Sequence, residues 1–459
     1  MERTLSWRET LVLAGVLTAL VVIYAFAWDG RPQMEGDSQG YLDVAAVLRD
    51  SPHDRLPNRP PGYPVLLLLT GSVPEPGLAL LVTQLALHAA AVALLAGLLR
   101  RIDTRRALVA LFVGVAMLPP FVEHADFVLS ESLAQICVVA GLVGFSSWLL
   151  GGRASWLVLA AGALAAAPLV HSVDELLWVA LSIVAALAAV LSRPKSAFRR
   201  RTVIGVTVIS LAAVTVLGGV VVRNAIRFDF AGVSPMLGTR LSHKTVRVLE
   251  RLPERYADVR EILIRHRDGA LLDPATGHLG LAYIFRAVPE LQAKTGMNEQ
   301  ELSRYLVELN LALIRAAPMD YVDEVLRSAI WFWAPGVTDQ SGFGSGAVKA
   351  AFNGVRALVL VSFFGGILLL AGPIVLLAGG AIRRGQGSDL ESTPLWPGLV
   401  VVSLSLGAIA YDCLVSITLT SAVYRLRIPV DLPILACALL APGLFVQIRA
   451  ALGLTPAGR

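Results

Sequence analysis

The sequence predicts an all-α polytopic membrane protein with about ten transmembrane helices. Apolar residues make up 56% of its 459 residues and charged residues only 16%, and the mean hydropathy is +0.68. The basic residues lie in short loops between long apolar segments, which is typical of cytoplasmic loops in membrane proteins. Basic residues in cytoplasmic loops therefore account for the net charge of +5. Nucleic acid is not an expected partner.

Ten apolar segments approach the length of a membrane-spanning helix, which is about 20 residues with about 17 tolerated. They are residues 10–28, 78–99, 107–122, 127–150, 154–170, 173–192, 202–222, 354–379, 395–416 and 429–448. The first resembles a signal peptide, but its apolar core is long for one, so we expect a retained helix. Residues 63–71 are apolar but too short to cross, which indicates an interfacial or re-entrant helix.

Three basic clusters at residues 100–106, 193–201 and 383–384 follow even-numbered spans. They should therefore share one face with both termini, and the positive-inside rule makes that face cytoplasmic in a plasma or inner membrane. Three parts are expected: an N-terminal transmembrane module (1–222) with the first external or periplasmic loop (29–77), an external α-rich segment (223–353), and C-terminal transmembrane helices (354–459). Within the middle part, Asn298 and Glu301 have the spacing of a capping box.

The first external loop combines carboxylates with a basic Pro/Gly turn. It reads Glu-Gly-Asp-Ser-Gln-Gly-Tyr at 35–41 and Arg-Pro-Pro-Gly-Tyr-Pro at 59–64. Residues 38–49 carry an apolar stripe at helical spacing, which places Asp37 at the N-terminus of a surface helix. Asp37 is then a helix cap, a catalytic carboxylate, or both.

A second polar group surrounds the start of the fourth span. Glu123, His124 and Asp126 form the preceding turn, and Glu131 should lie about 6 Å below the outer end of the helix. A carboxylate at that depth is expected to face a cavity or a partner, although it could also snorkel outward or pair with an arginine. The cluster could bind a divalent ion, but its spacing matches no specific metal motif.

Arginines stand at the outer ends of two predicted spans. Arg223 closes the seventh span, and Arg425 and Arg427 precede the last one. Positive charge on the external side runs against the usual distribution. An anionic lipid-phosphate substrate would explain it, since guanidinium forks suit phosphate oxygens; the alternative is that each arginine anchors its helix at the interface.

These motifs together resemble the GT-C class of integral-membrane glycosyltransferases, in particular the group of protein mannosyltransferases and aminoarabinose transferases. The matching elements are the first-loop acidic motif, the Arg-Pro-Pro-Gly-Tyr-Pro turn, Leu-Ser-Glu at 129–131, Val-Arg-Asn at 222–224 and Tyr-Arg-Leu-Arg-Ile-Pro at 424–429. The resemblance implies a polyprenyl-phosphate sugar donor, a lipid, glycan or protein acceptor, and transfer with inversion on the non-cytoplasmic face. The sequence departs from the family pattern at residues 169–172, Leu-Val-His-Ser, where many relatives carry an Arg-Pro pair.

By this resemblance Asp37 is the catalytic acidic residue and Glu131 a second acidic residue in the cavity. The implied donor-phosphate contacts are Arg59, Arg223, Arg425 and Arg427. The implied cavity also includes Tyr41, Tyr63, Glu123, His124, Asp126 and His171. No cofactor is certain. Asp37 and Glu131 are candidate ligands for a divalent ion such as Mg²⁺ or Mn²⁺. The competing interpretations are a glycan ligase with a diphosphate-linked donor, a transporter or flippase for lipid-linked saccharides, and a non-catalytic scaffold.

Overall fold

The computed structural model describes residues 6–28, 30–51, 58–103, 105–190, 192, 196–271, 283–335, 346–383, 391, 393–420 and 424–452. Within these ranges the chain is helical, with one isolated β-bridge between Gln33 and Phe127. The predicted all-α membrane class is confirmed. Arg193, Lys195 and Arg384 of the predicted basic clusters lie outside the described residues.

The first ten helices are α1 (Trp7–Ala27), α2 (Ser38–Asp50), α3 (Gly62–Leu69), α4 (Leu78–Ile102), α5 (Arg106–Ala116), α6 (Pro119–Val122), α7 (Glu131–Leu149), α8 (Ala154–Val170), α9 (Leu177–Val190) and α10 (Ala197–Phe228). The others are α11 (Leu237–Thr245), α12 (Ala257–Leu271), α13 (Tyr283–Thr295), α14 (Glu299–Ala316), α15 (Pro318–Phe332), α16 (Gly346–Arg383), α17 (Trp396–Leu419) and α18 (Ile428–Ala451). Short 3₁₀ turns include Glu123–Asp126, Ser172–Leu176 and Tyr424–Arg427.

Each of the ten predicted spans contains a helix, but they are not equal in length. Among the described residues, eight helices are long and apolar enough to cross a membrane. A ninth span exists if Arg106–Ala116 and Pro119–Asp126, which meet at 67°, count as one broken helix. Proline at the start of α6 supplies no N–H to the preceding turn, which explains the break. The tenth, α8, is a shorter apolar helix of 17 residues.

The bundle packs around α7, whose side chains are buried on nearly every side. Helices α4, α8 and α18 all contact it. On the α8 side, a Cβ built on Gly141 would lie 2.6 Å from Leu164 Cδ2, and one built on Gly144 would lie 2.7 Å from the Trp156 carbonyl oxygen. Small residues let two membrane helices approach closely, so these glycines set the α7–α8 distance.

The middle of the chain forms a second helical unit with its own apolar core. Side chains of α12, α13 and α14 build that core, for example Leu263, Leu291 and Leu306. The predicted capping box at Asn298 and Glu301 is confirmed at the start of α14. Helix α10 continues to Phe228, past the predicted boundary at 222, and the three-part division stays a prediction.

Gly144→Ala should destabilise the bundle by about 1–3 kcal/mol, because the added methyl group meets the backbone of α8. Thermal unfolding in detergent measures this as a lower midpoint. Gly162→Ala on α8 is the matched control, since nothing lies within 4 Å of its Cβ position; helix propensity predicts an unchanged or slightly higher midpoint there. Equal midpoints for the two variants would contradict the close α7–α8 contact.

Candidate active site

Asp37 lies between two arginines that come from distant parts of the chain. Its Oδ1 accepts a hydrogen bond from Arg59 Nη2 at 2.8 Å, and its Oδ2 accepts one from Arg425 Nη2. Asp37 directly precedes α2, as the sequence predicted, but its side chain makes no capping hydrogen bond. The interpretation of Asp37 as a helix cap is therefore wrong for the side chain, which the guanidinium groups orient instead.

Arg425 contacts three carboxylates at once. Besides Asp37, it pairs with Glu35 through Nη1 at 3.0 Å and with Glu131 through Nε at 3.1 Å. Its side chain is only 19% exposed, and that of Glu131 only 3%. The two predicted acidic residues, Asp37 and Glu131, thus share one cation, which offsets the cost of burying their charges.

Two tyrosines form an aromatic wall beside Arg59. The guanidinium lies 4.6 Å above the centre of the Tyr41 ring, and Tyr41 meets Tyr63 edge to face at 5.0 Å between centroids. The Tyr41 and Ser130 hydroxyls are hydrogen bonded at 2.9 Å. Gly40 leaves space for this guanidinium, since a Cβ at that position would lie 2.6 Å from Arg59 Nε and would displace the arginine side chain. Of the predicted cavity residues, Tyr41 therefore lies within electrostatic range of Asp37, and Tyr63 packs against Tyr41.

Neutral polar side chains fix the first loop against the start of α7. Gln33 Nε2 donates to Asp126 Oδ2 at 2.7 Å, and the Gln33 carbonyl accepts from the Val128 amide at 3.0 Å. Gln84 on α4 accepts from the Tyr63 hydroxyl and donates to the Phe127 carbonyl, each at 2.9 Å. Neither glutamine was predicted; for Gln84, the available signal was a glutamine inside an apolar span.

The charges around Asp37 determine its protonation. Burial raises the pKa of Asp37, but the positive charges of Arg425 and Arg59 have the larger combined effect, so its pKa lies well below the usual range. Burial also raises the pKa of Tyr41. Asp37 is consequently ionised at any physiological pH and is a weak base while both arginines hold it.

Glu123 and Arg427 belong to a second buried network. Arg427 Nε pairs with Asp431 at 2.8 Å, and its Nη1 donates to the Phe332 carbonyl at 2.6 Å. Glu123 pairs with Arg356 of α16 at 3.3 Å. Arg356 was not predicted, although an arginine inside an apolar span is a signal in itself. The phosphate role of Arg427 stays a prediction, and its described contacts hold α18 to the end of α15.

The remaining predicted residues lie around these two networks. His124 is buried, with its ring 5.2 Å from the ring of His88. His171 Nδ1 lies 3.7 Å from Asp174 Oδ2 in the turn after α8. Arg223 donates to the Asn224 side chain at 3.0 Å. None of these described contacts reaches Asp37, so the structure leaves their predicted substrate roles untested.

The two predicted metal ligands, Asp37 and Glu131, are both paired with arginine. Both Asp37 oxygens accept from arginines, and Arg425 already pairs with Glu131. No group of three or more His, Cys, Asp and Glu side chains in the described ranges is arranged to hold a metal ion. As arranged, guanidinium groups rather than a metal neutralise these carboxylates.

Comparisons with known proteins give structural likenesses alone. No protein-family model and no curated protein matches the chain. One similar solved structure is archaeal oligosaccharyltransferase AglB from Archaeoglobus fulgidus, in complex with an inhibitory peptide and a dolichol-phosphate. It has 12% identity and a TM-score of 0.46, and the match covers 99% of this chain and 53% of that one.

ArnT from Cupriavidus metallidurans is similar too. Bound to undecaprenyl phosphate, it has 14% identity and a TM-score of 0.38, with 94% of this chain and 77% of that chain covered. Its apo state has 16% identity and a TM-score of 0.35. AglB and ArnT are GT-C glycosyltransferases, the class that the motifs resemble. This chain spans about half the length of AglB. TM-scores below 0.5 assign this chain neither an activity nor a residue's role.

Arg425→Gln should lower the free energy of unfolding by about 3 kcal/mol, because it leaves buried carboxylates without their shared cation. Thermal unfolding of purified protein gives the measurement. Arg31→Gln is the control, since Arg31 is exposed on the first loop, which carries Glu35 and Asp37, and this variant should unfold like wild type. An Arg425→Gln midpoint equal to that of wild type would show that the network does not contribute to stability.

The contribution of Asp37 to the free energy of unfolding should decrease at acidic pH. Because its folded pKa is depressed, this contribution is complete above the unfolded pKa of about 3.9 and is lost as pH falls further. Wild type should therefore unfold at a higher temperature than Asp37→Asn at pH 7 and pH 5, with the gap narrowing below about pH 4. A gap that instead widens on acidification would contradict the ion pairing.

Proposed function

We propose that this protein is a glycosyltransferase that moves a sugar from a polyprenyl-phosphate carrier to a lipid, glycan or protein acceptor. One observation carries the proposal: Asp37 and Glu131 converge on Arg425, with Arg59 and two tyrosines beside them, at one end of the apolar bundle. Carboxylates, guanidinium groups and aromatic rings in one partly buried site suit a substrate with a phosphate, a sugar and a lipid tail.

The site is proposed to face the external or periplasmic side, with both termini in the cytoplasm. Contacts at the other end of the bundle support this orientation. Glu9 at the start of α1 pairs with Arg106 at 2.9 Å and Arg100 at 3.7 Å. The beginning of α1 therefore lies with the basic end of α4, the end that the positive-inside rule assigns to the cytoplasm.

In the proposed reaction, an acceptor oxygen or nitrogen attacks the anomeric carbon of the sugar. The bond from that carbon to the phosphate oxygen breaks, and polyprenyl phosphate departs with the bonding electrons. Such a phosphate is stable as an anion near neutral pH, so cationic side chains can assist its departure without a general acid. Attack from the side opposite the phosphate inverts the anomeric configuration.

Asp37 is the proposed base for the acceptor proton. In the described arrangement its low pKa makes it a weak base, since Arg59 and Arg425 occupy both oxygens. A donor phosphate offers those arginines a competing anion. As a guanidinium turns from Asp37 to the phosphate, the pKa of Asp37 rises toward the range in which it can accept a proton. Donor binding and base activation are thereby linked.

Two alternatives predict different substrates or motions. A glycan ligase would use a diphosphate-linked donor at the same site. A transporter or flippase is favoured by one observation: Asp412 is buried about 10 Å from the C-terminal end of α17, and both its carboxylate oxygens lack a hydrogen-bond partner in the described part of the chain. Buried acidic residues inside membrane spans often serve transport, but the convergence at Asp37 favours transfer.

Asp37→Asn should reduce sugar transfer by about a hundredfold to ten-thousandfold, the usual contribution of a positioned base. The measurement is release of polyprenyl phosphate from a panel of polyprenyl-phosphate sugars in nanodiscs, with cell-envelope extract as acceptor. Asp43→Asn is the matched control, because Asp43 is exposed on α2, the helix that Asp37 precedes; its rate should equal that of wild type.

Other outcomes separate the alternatives. Equal release by wild type and Asp37→Asn would keep the transferase and exclude Asp37 as the base. Release only from diphosphate-linked donors would identify a ligase. Movement of an intact lipid-linked saccharide across the bilayer, with no release from any donor, would identify a flippase.

A further inference from the structure

The arginines predicted to bind phosphate are all engaged by other groups. Arg59 and Arg425 pair with carboxylates of the site, Arg427 pairs with Asp431, and Arg223 bonds to Asn224. Within the site, three carboxylates (Glu35, Asp37 and Glu131) face the two guanidinium groups of Arg59 and Arg425. A substrate phosphate would add further negative charge to a place that already has more anions than cations. The site therefore needs another cation.

Arg240 of α11 meets this need from a different part of the chain. Its side chain is half-buried and makes no hydrogen bond or ion pair with any residue that the structure describes. It lies within electrostatic range of Tyr41, Arg59 and Asp37 in the site and of Glu175 in the turn after α8, without an ion pair to either carboxylate. Burial lowers the pKa of this guanidinium, as expected for a desolvated cation that no carboxylate contacts directly.

The opposite side of α11 is packed tightly, which holds Arg240 in this orientation. Gly238 abuts α14 so closely that a Cβ would lie 2.3 Å from the Ser303 carbonyl oxygen. Asn310 of α14 donates to the Gly238 carbonyl and to the Ser242 hydroxyl, each at 3.0 Å. At 100° per residue, Arg240 lies about 160–200° around the helix from Gly238 and Ser242. It is therefore directed away from α14.

We infer that Arg240 is an anchor for the phosphate of a polyprenyl-phosphate lipid, bound at the edge of the Asp37 site. This rests on the proposed function and extends it to a residue outside the sequence motifs. Arg240 has no carboxylate to release before binding, unlike Arg59 and Arg425. The phosphate can consequently bind Arg240 first and then compete for the guanidinium groups that hold Asp37.

A binding experiment on the full chain tests this without requiring transfer. Purified protein in nanodiscs is titrated with polyprenyl phosphate, with polyprenol of the same length, and with inorganic phosphate. Wild type should bind polyprenyl phosphate more tightly than polyprenol, and inorganic phosphate should compete only weakly. Arg240→Gln should weaken binding of the phosphate lipid by about tenfold to a hundredfold, the usual range for a charge-assisted contact, and leave polyprenol binding unchanged.

Two further variants make the outcome specific. Arg240→Lys keeps the charge but loses the fork, so it should fall between wild type and Arg240→Gln; it also serves if Arg240→Gln does not fold. Arg251→Gln removes an exposed arginine that follows α11 and pairs with Asp320, and this variant should bind like wild type. Equal affinity of wild type and Arg240→Gln for polyprenyl phosphate would overturn the inference about Arg240 but not the proposed lipid-phosphate donor.

The remaining outcomes locate the failure elsewhere. If wild type does not distinguish polyprenyl phosphate from polyprenol, both this inference and the lipid-phosphate donor are wrong. If inorganic phosphate competes as strongly as the lipid and Arg240→Gln abolishes that competition, the residue binds free phosphate, and the lipid part of the inference is overturned.

Discussion

The shared ion pairing of Arg425 is the interaction on which the rest of the site depends. Its guanidinium, in the turn before α18, contacts Glu35 and Asp37 of the first loop and Glu131 at the start of α7. Without that cation, Glu131 would be a buried charge at the end of an apolar helix, which is costly in a membrane protein. The same contact joins the two ends of the chain, so stability and site geometry have one physical origin.

Charge pairing cannot set this geometry alone, because long side chains can pair in many arrangements. The neutral contacts remove that freedom. Gln33 and Gln84 fix the first loop and α3 against residues 125–128, and Gly40 leaves room for Arg59. These contacts are short and directional. Inside an apolar bundle, polar atoms that lost them could not form replacement hydrogen bonds with water. The result is a hydrogen-bonded frame around the ion pairs of Asp37 and Glu131.

The sequence was informative where a physical rule acts locally. Hydropathy located a helix at each predicted span, and the spacing of Asn298 and Glu301 located the start of α14. It could not show that Asp37 is held by arginines rather than capping α2, because that depends on residues almost four hundred positions apart. For the same reason Arg240 was missed: its place within electrostatic range of Asp37 joins residues about two hundred positions apart, and no motif at residues 237–245 signals it. The short helix α8 and the break at Pro119 show that composition alone does not fix a span count.

The 3₁₀ turn Tyr424–Arg427 explains why two neighbouring arginines have different environments. With three residues per turn, side chains two positions apart point about 120° away from each other. Arg425 accordingly faces Asp37, whereas Arg427 faces Asp431 and donates to the Phe332 carbonyl at the end of α15. The turn is thus fixed on one side to the outer helical unit and on the other to the site. A displacement of α15 would move the cation that holds Asp37, since both arginines share one rigid turn of backbone. The contacts of Arg427 with the Phe332 carbonyl and of Arg425 with Asp37 therefore connect the end of α15 to the site through one short turn.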